Sequence, residues 1–153
     1  MIYIKKDMTI NEIQDEIIDT FSAFDDWMDR YALLIEEGNS LPKLDEKDKT
    51  EQNLIDGCQS KVWFTAELQH NEKGQSIVIY HGDSDAVLVR GIVALLIRVL
   101  SGHTPKEIAD AELYFIDDIQ LREHLSPTRS NGLSAMLKQM RLFALAYLAV
   151  GKD

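Results

Sequence analysis

Apolar residues recur at helical spacing near the start of the chain. Ile10, Ile13, Ile17, Phe21 and Phe24, then Trp27, Met28, Tyr31, Leu34 and Ile35, hold a period of about 3.6 residues over several turns. Thr9 and Glu12 form a T-x-x-E capping box, which predicts a helix start at that point. Gly38 is placed to close the pattern as a C-cap. A polar break from Thr20 to Asp25 can divide the stretch into two helices.

The pattern then changes. Asn39 to Gln52 is polar, contains Pro42 and reads as an extended connector. Val62 to Leu68 and Ile77 to His81 are rich in β-branched and aromatic residues, with turn chemistry in Asn71-Glu72-Lys73-Gly74 between them, so a hairpin is predicted. Asn53-Leu54-Ile55 is a candidate third strand. Gly82-Asp83-Ser84-Asp85 supplies N-cap candidates for an apolar helix from Ala86 to Leu100. That helix ends near Ser101-Gly102. A short helix restarts at Thr104-Pro105. Ser126 to Asn131 reads as a loop, and Leu133, Met136, Leu137, Met140, Phe143, Ala144 and Tyr147 share one face of a final helix. Helices, then a hairpin, then helices predict an α+β domain over 1–153, with a small antiparallel sheet covered on one face.

Composition narrows the classes of function. The chain has 153 residues and a net charge of −10. That balance argues against nucleic acid and against an anionic membrane surface, because both need a basic footprint. The apolar stretch from Ala86 to Leu100 falls short of the roughly 20 residues of a membrane span, and Arg90 and Arg98 interrupt it. The first residues show no apolar signal segment. A single cysteine without a disulfide framework suits a reducing compartment, so a cytoplasmic location is expected.

That cysteine is the candidate reactive group. One thiol makes neither an internal disulfide nor a thiolate zinc site, so Cys58 is either a buried inert thiol or a reactive one. Gly57 before it and Gln59-Ser60 after it place it at a bend between two apolar runs. The four histidines are scattered, and none forms a close ligand pair, so no metal site is expected. A Cys–His hydrolase with His81 or His124 as base stays open. Asp83 and Asp85 read most simply as helix caps, Arg129 as a partner for a carboxylate, and Trp63 as core.

Three ordered blocks carry a family resemblance: Gly57-Cys58-Gln59-Ser60 with Val62-Trp63, Gly82-Asp83-Ser84-Asp85-Ala86 through Gly91, and His124 through Leu133. Leu41-Pro42 ahead of the cysteine is a softer fourth match. Together they span roughly Phe24 to Tyr147 and resemble the SufE-type sulfur acceptors that work with cysteine desulfurases. Against the family pattern the segment before Ile10 looks like an extension. The resemblance implies an α+β fold with a three-stranded antiparallel sheet, similar to the scaffold proteins of iron–sulfur cluster assembly. It implies that Cys58 accepts sulfane sulfur as a persulfide, and that the sulfur passes on for iron–sulfur cluster assembly. Gly57, Gln59, Ser60, Asp85 and Arg129 would shape the loop or touch the partner. The implied partners are a cysteine desulfurase and an iron–sulfur scaffold protein. No bound cofactor is expected here, since the pyridoxal phosphate belongs to the desulfurase. The rivals are a Cys-dependent hydrolase or transferase, and an adaptor that stimulates a desulfurase without carrying sulfur. Asp56 would raise the Cys58 pKa while Lys61 and Arg129 would lower it, so the net shift is not signed at this level.

Overall fold

The Thr9 hydroxyl accepts from the Glu12 amide and the Glu12 carboxylate accepts from the Thr9 amide, so the expected capping box opens the first helix. The computed structural model describes residues 3–4 and 8–151. The extension expected before Ile10 lies mostly outside the described residues. The elements are β1 (Tyr3–Ile4), α1 (Ile10–Ser22), α2 (Trp27–Ser40), β2 (Val62–Asn71), β3 (Ser76–Ser84), α3 (Val87–Leu100), α4 (Pro105–Asp110), α5 (Phe115–Asp118) and α6 (Pro127–Val150). The long N-terminal pattern divides where the polar break falls, and Asp26 caps α2 by accepting from the Met28 amide. The connector is not wholly extended. It holds two tight helical turns, Glu46–Asp48 and Glu51–Asn53.

The antiparallel sheet has two strands, not three. β2 and β3 pair with Phe64 opposite Gly82 and Thr65 opposite His81. The expected third strand at Asn53 to Ile55 is reduced to a single bridge between Leu54 and Trp63. Leu54 closes a helical turn, and the chain turns away again at 56–57, which leaves no room for a ladder. Further along the same edge of β2, β1 pairs in parallel, with Tyr3 opposite His70.

α3 is the central helix. Its buried residues, including Val89, Ile92, Val93, Leu95, Leu96 and Val99, point in nearly all directions, as expected of a helix surrounded by protein. Val62, Phe64, Val78 and Tyr80 of the sheet share one apolar cluster with α3 and with Leu133, Met136, Met140 and Ala144 of α6. The two arginines of α3 reach outward. Arg98 pairs with Glu16 and Glu37, and Arg90 donates to Asp83 and to the Leu41 carbonyl.

Gly38 is not a C-cap. α2 continues to Ser40, and Leu41 caps it in an extended conformation that the following Pro42 favours. Gly38 instead lets two helices touch. A β-carbon there would lie 2.9 Å from the Gly91 nitrogen, and one on Gly91 would lie 2.1 Å from the Leu34 carbonyl oxygen.

Asp83 is not a helix cap either. β3 runs on through Gly82-Asp83-Ser84, and α3 starts after Ala86 with no side-chain cap. The buried Asp83 carboxylate accepts from the Ser84 amide at 2.8 Å, the Leu44 amide at 3.2 Å and Arg90 Nε at 2.8 Å, with Lys49 Nζ at 3.7 Å. It therefore ties the connector to the sheet. Burial pushes its pKa up, but the two amides and two cations outweigh burial and hold it below its ordinary value. A lowered folded-state pKa means stability that is present above about pH 4 and lost as pH falls through the folded value. Asp83→Asn should cost about 3 kcal/mol at neutral pH, and less on acidification. Urea midpoints at neutral pH and near pH ~3 test this; an equal deficit at both would show that the charge is not what holds the connector.

Candidate functional site

Cys58 lies on a loop, residues 56–61, that is fastened at both ends. At the start, the Ile55 amide donates to the Val62 carbonyl at 2.8 Å. At the end, the Lys61 amide donates to Asp85 Oδ1 at 3.0 Å, the Asp85 amide to the Lys61 carbonyl at 3.2 Å, and the Ser84 hydroxyl to the same carbonyl at 2.8 Å. Asp85 is thus a latch on the cysteine loop, where its sequence reads as a cap. Gly57 has φ of +90°, a conformation that disfavours any side chain. Space is not its constraint, since a β-carbon there would meet only Ala135 at 3.7 Å.

Between the fastened ends the loop is loosely held. Gln59 is exposed and Ser60 half-buried, and neither side chain has a hydrogen-bond partner among the described residues. Cys58 is half-buried against the core. Its Sγ lies 3.6 Å from the Gly132 carbonyl oxygen, to which the thiol can donate weakly. A β-carbon on Gly132 would come within 3.3 Å of the sulfur, so glycine lets α6 approach the thiol. Beside the sulfur is a mostly apolar cavity of about 20 Å³ lined by Val62, Val89, Ile92 and Met136, and also by Gln59, Ser60, Thr128 and Arg129. That volume admits about one water-sized atom.

Burial pushes the Cys58 thiol above its ordinary pKa. The cause is desolvation, not Asp56 or Lys61, which flank it in sequence. In this conformation burial favours the thiol over the thiolate.

Arg129 does not lie on a loop. Ser126 accepts from the Arg129 amide as N-cap and Pro127 takes the first helical position, so Arg129 belongs to the first turn of α6. Its guanidinium is exposed and has no partner among the described residues, so the carboxylate pairing is not made. A cation in a first turn opposes the helix dipole, and no acidic residue there offsets it. Trp63 is half-buried, with the Lys49 ammonium 5.5 Å from its ring centroid, and so is not fully core.

No histidine lines the Cys58 cavity. His81 sits beside Glu67, and His124 stacks on Trp27 at 3.8 Å. The hydrolase constellation is therefore not assembled. Sequence reasoning gave Met136 only as a face residue of the last helix and Gly132 only inside a motif block, and placed neither these nor Val89 and Ile92 at the site. The one available signal was a glycine at the start of an apolar helical pattern.

The latch gives a direct expectation. Asp85→Ala removes a carboxylate hydrogen bond from an exposed backbone amide, so the open loop should become roughly three- to tenfold more populated. Iodoacetamide labelling of Cys58 and amide exchange over 56–61 should quicken by that factor, while β2 exchange stays unchanged. Unaltered labelling would mean that Asp85 does not hold the loop.

Comparison with known proteins gives the family. The family model described as "SufE: Fe-S metabolism associated domain" matches residues 15–144. An uncharacterized SufE-like protein of Rhizobium etli is 43% identical over 128 residues, covering 83% of this chain and 86% of that protein. Another from Rhizobium meliloti is 38% identical, covering 83% and 91%. A solution structure of a hypothetical protein from Thermus thermophilus superposes with a TM-score of 0.71 over 90% of this chain and 96% of that one. At 20% identity it speaks for the fold alone.

Proposed function

Since the chain belongs to the SufE family and so to iron–sulfur metabolism, we propose that it accepts sulfane sulfur on Cys58 from a cysteine desulfurase and passes it to an iron–sulfur scaffold. The observation that carries this reading is the cavity beside Sγ, which has room for about one more atom and apolar walls. A persulfide places one additional sulfur on the thiol. Apolar walls would keep that sulfur from water, reductants and oxidants.

The step is thiol exchange. The Cys58 thiolate attacks the outer sulfur of the donor's persulfide, a new S–S bond forms, and the donor's own S–S bond breaks. The donor cysteine leaves as thiolate, and no external oxidant or reductant is consumed. The resting thiol's raised pKa opposes premature reaction. Swinging the loop out returns the sulfur to water and restores an ordinary thiolate fraction. Unpartnered Arg129 lines the same cavity and is exposed, so it can meet the partner. Gln59 and Ser60 have free hydrogen-bonding groups to offer a partner. A reducing compartment such as the cytoplasm suits this chemistry.

Incubation with a cysteine desulfurase and L-cysteine, followed by intact mass measurement, should show a gain of one sulfur that dithiothreitol removes. A protein that stays at its starting mass, beside a desulfurase shown to be charged, would rule out sulfur acceptance.

A further inference from the structure

The outward face of α6 departs from the rest of the chain. The protein carries 26 acidic residues, yet none of them falls among the 24 residues of α6. Leu142 and Leu145 stay 46% and 47% exposed there. With half-buried Leu137 they floor an open groove of about 400 Å³, rimmed by Arg122, Lys138 and Arg141. Arg122 is oriented by Ser134 Oγ at 2.9 Å and Arg141 by the Ala111 carbonyl at 2.8 Å. The Lys138 ammonium has no partner among the described residues.

We propose that this groove docks an acidic, leucine-bearing helix of a partner protein. Charge complementarity carries the choice of occupant: an apolar floor whose charged lining groups are all basic, on a molecule of net charge −10, selects an apolar ligand with carboxylate flanks. The spacing supports a helix. Ser134, Lys138, Arg141 and Leu145 recur at four, three and four residues and so share one face of α6, along which a helix can lie with its leucines over Leu137, Leu142 and Leu145 and its carboxylates beside Lys138 and Arg141. A bilayer fits less well. By length and composition α6 is long and apolar enough to cross a membrane. Its buried stripe, however, belongs to the core. Three rim cations attract anionic lipid by about 1 kcal/mol each, against the repulsion of the whole acidic molecule.

The groove looks away from the thiol. Gly132 and Met136 border the Cys58 cavity. At about 100° per residue, positions 134, 138, 141 and 145 fall on the opposite side of the helix. A partner docked here leaves Cys58 free for exchange, so the surface suits a protein held alongside the sulfur donor rather than the donor's own active site. Docking here is independent of sulfur acceptance by Cys58.

The test uses a synthetic helical peptide with leucines at heptad spacing and glutamates beside them, and a twin with lysines in place of the glutamates. With the isotope-labelled full chain, the acidic peptide should shift amide resonances over 134–145 and leave 56–61 unmoved. Its affinity should fall with salt and drop about tenfold in Lys138→Glu, an exposed change that should not disturb folding. Cys58 labelling should keep its rate with peptide bound. The proposal is overturned by any of four results: no binding by the acidic peptide, equal binding of both peptides, shifts centred on the cysteine loop, or a Lys138→Glu variant that binds as wild type does. Binding of anionic vesicles through Lys138 in place of peptide would assign the face to a membrane. A concentration-dependent dimer abolished by Lys138→Glu would assign it to a second copy of this chain. Either would also replace the proposal.

Discussion

The Cys58→Ser protein is expected to take up no sulfur from a charged desulfurase. A hydroxyl cannot form the S–S bond on which transfer depends, and the chain has no other cysteine to stand in. The fold should survive. Serine is smaller than cysteine and would sit near the Gly132 carbonyl that the thiol now faces, so a cost of about 1 kcal/mol is expected, or a few degrees in Tm. Intact mass and thermal melting read the two effects separately. Sulfur retained on the variant would remove Cys58 from the mechanism. A variant that carries no sulfur yet stimulates the desulfurase fully would turn the protein into an adaptor. The thiol also predicts a pH signature. Its folded pKa is raised, so labelling of the free protein should accelerate at a pH above the value of about 8.5 for unperturbed cysteine. The sign for stability follows: the contribution is complete below about pH 8.5 and declines as pH rises through the folded value.

The largest loss of stability should come from Gly91→Ala. The added β-carbon would lie 2.1 Å from the Leu34 carbonyl oxygen and 2.6 Å from the Leu34 carbonyl carbon. Both are backbone atoms of α2, so no side chain can swing aside to make room. The two helices must separate, and the Leu34 packing around the crossing separates with them. Overpacking of this kind costs about 3 kcal/mol or more. Gly38→Ala, on the other side of the crossing, meets its nearest atom at 2.9 Å and should cost less. Urea unfolding measures both. Wild-type midpoints in both variants would show that the crossing is looser than described.

These two variants mark the difference between what was readable along the chain and what was not. Cys58 was marked as the candidate thiol by Gly57, Gln59 and Ser60 around it and by the order of the motif blocks. Gly91 lay inside one of those blocks, but nothing in its neighbours says that Leu34 crosses it. Gly38 carried an ordinary C-cap signal and serves the same crossing instead. Pro127 after Ser126 read as a loop, although the same Pro-at-the-first-position logic placed α4 correctly at Pro105. Ser126 accepting from the Arg129 amide shows that the signal was present and went to the wrong element.

The sequence by itself determined whatever depends on residues a few positions apart. The caps at Thr9 and Thr104, the break before Asp26 and the turn between β2 and β3 are all contacts within about one helical turn or one hairpin loop. Their energetics travel with the local chain. Tertiary structure decided what depends on distant segments meeting. Asp83 is a connector anchor only because Leu44 and Arg90 come to it, and Asp85 is a latch only because the Lys61 amide faces it. The sign of the Cys58 shift was undecidable from flanking Asp56 and Lys61, whose charges oppose each other. It is set by burial of the thiol where the loop meets β2, α3 and α6, segments distant in the chain.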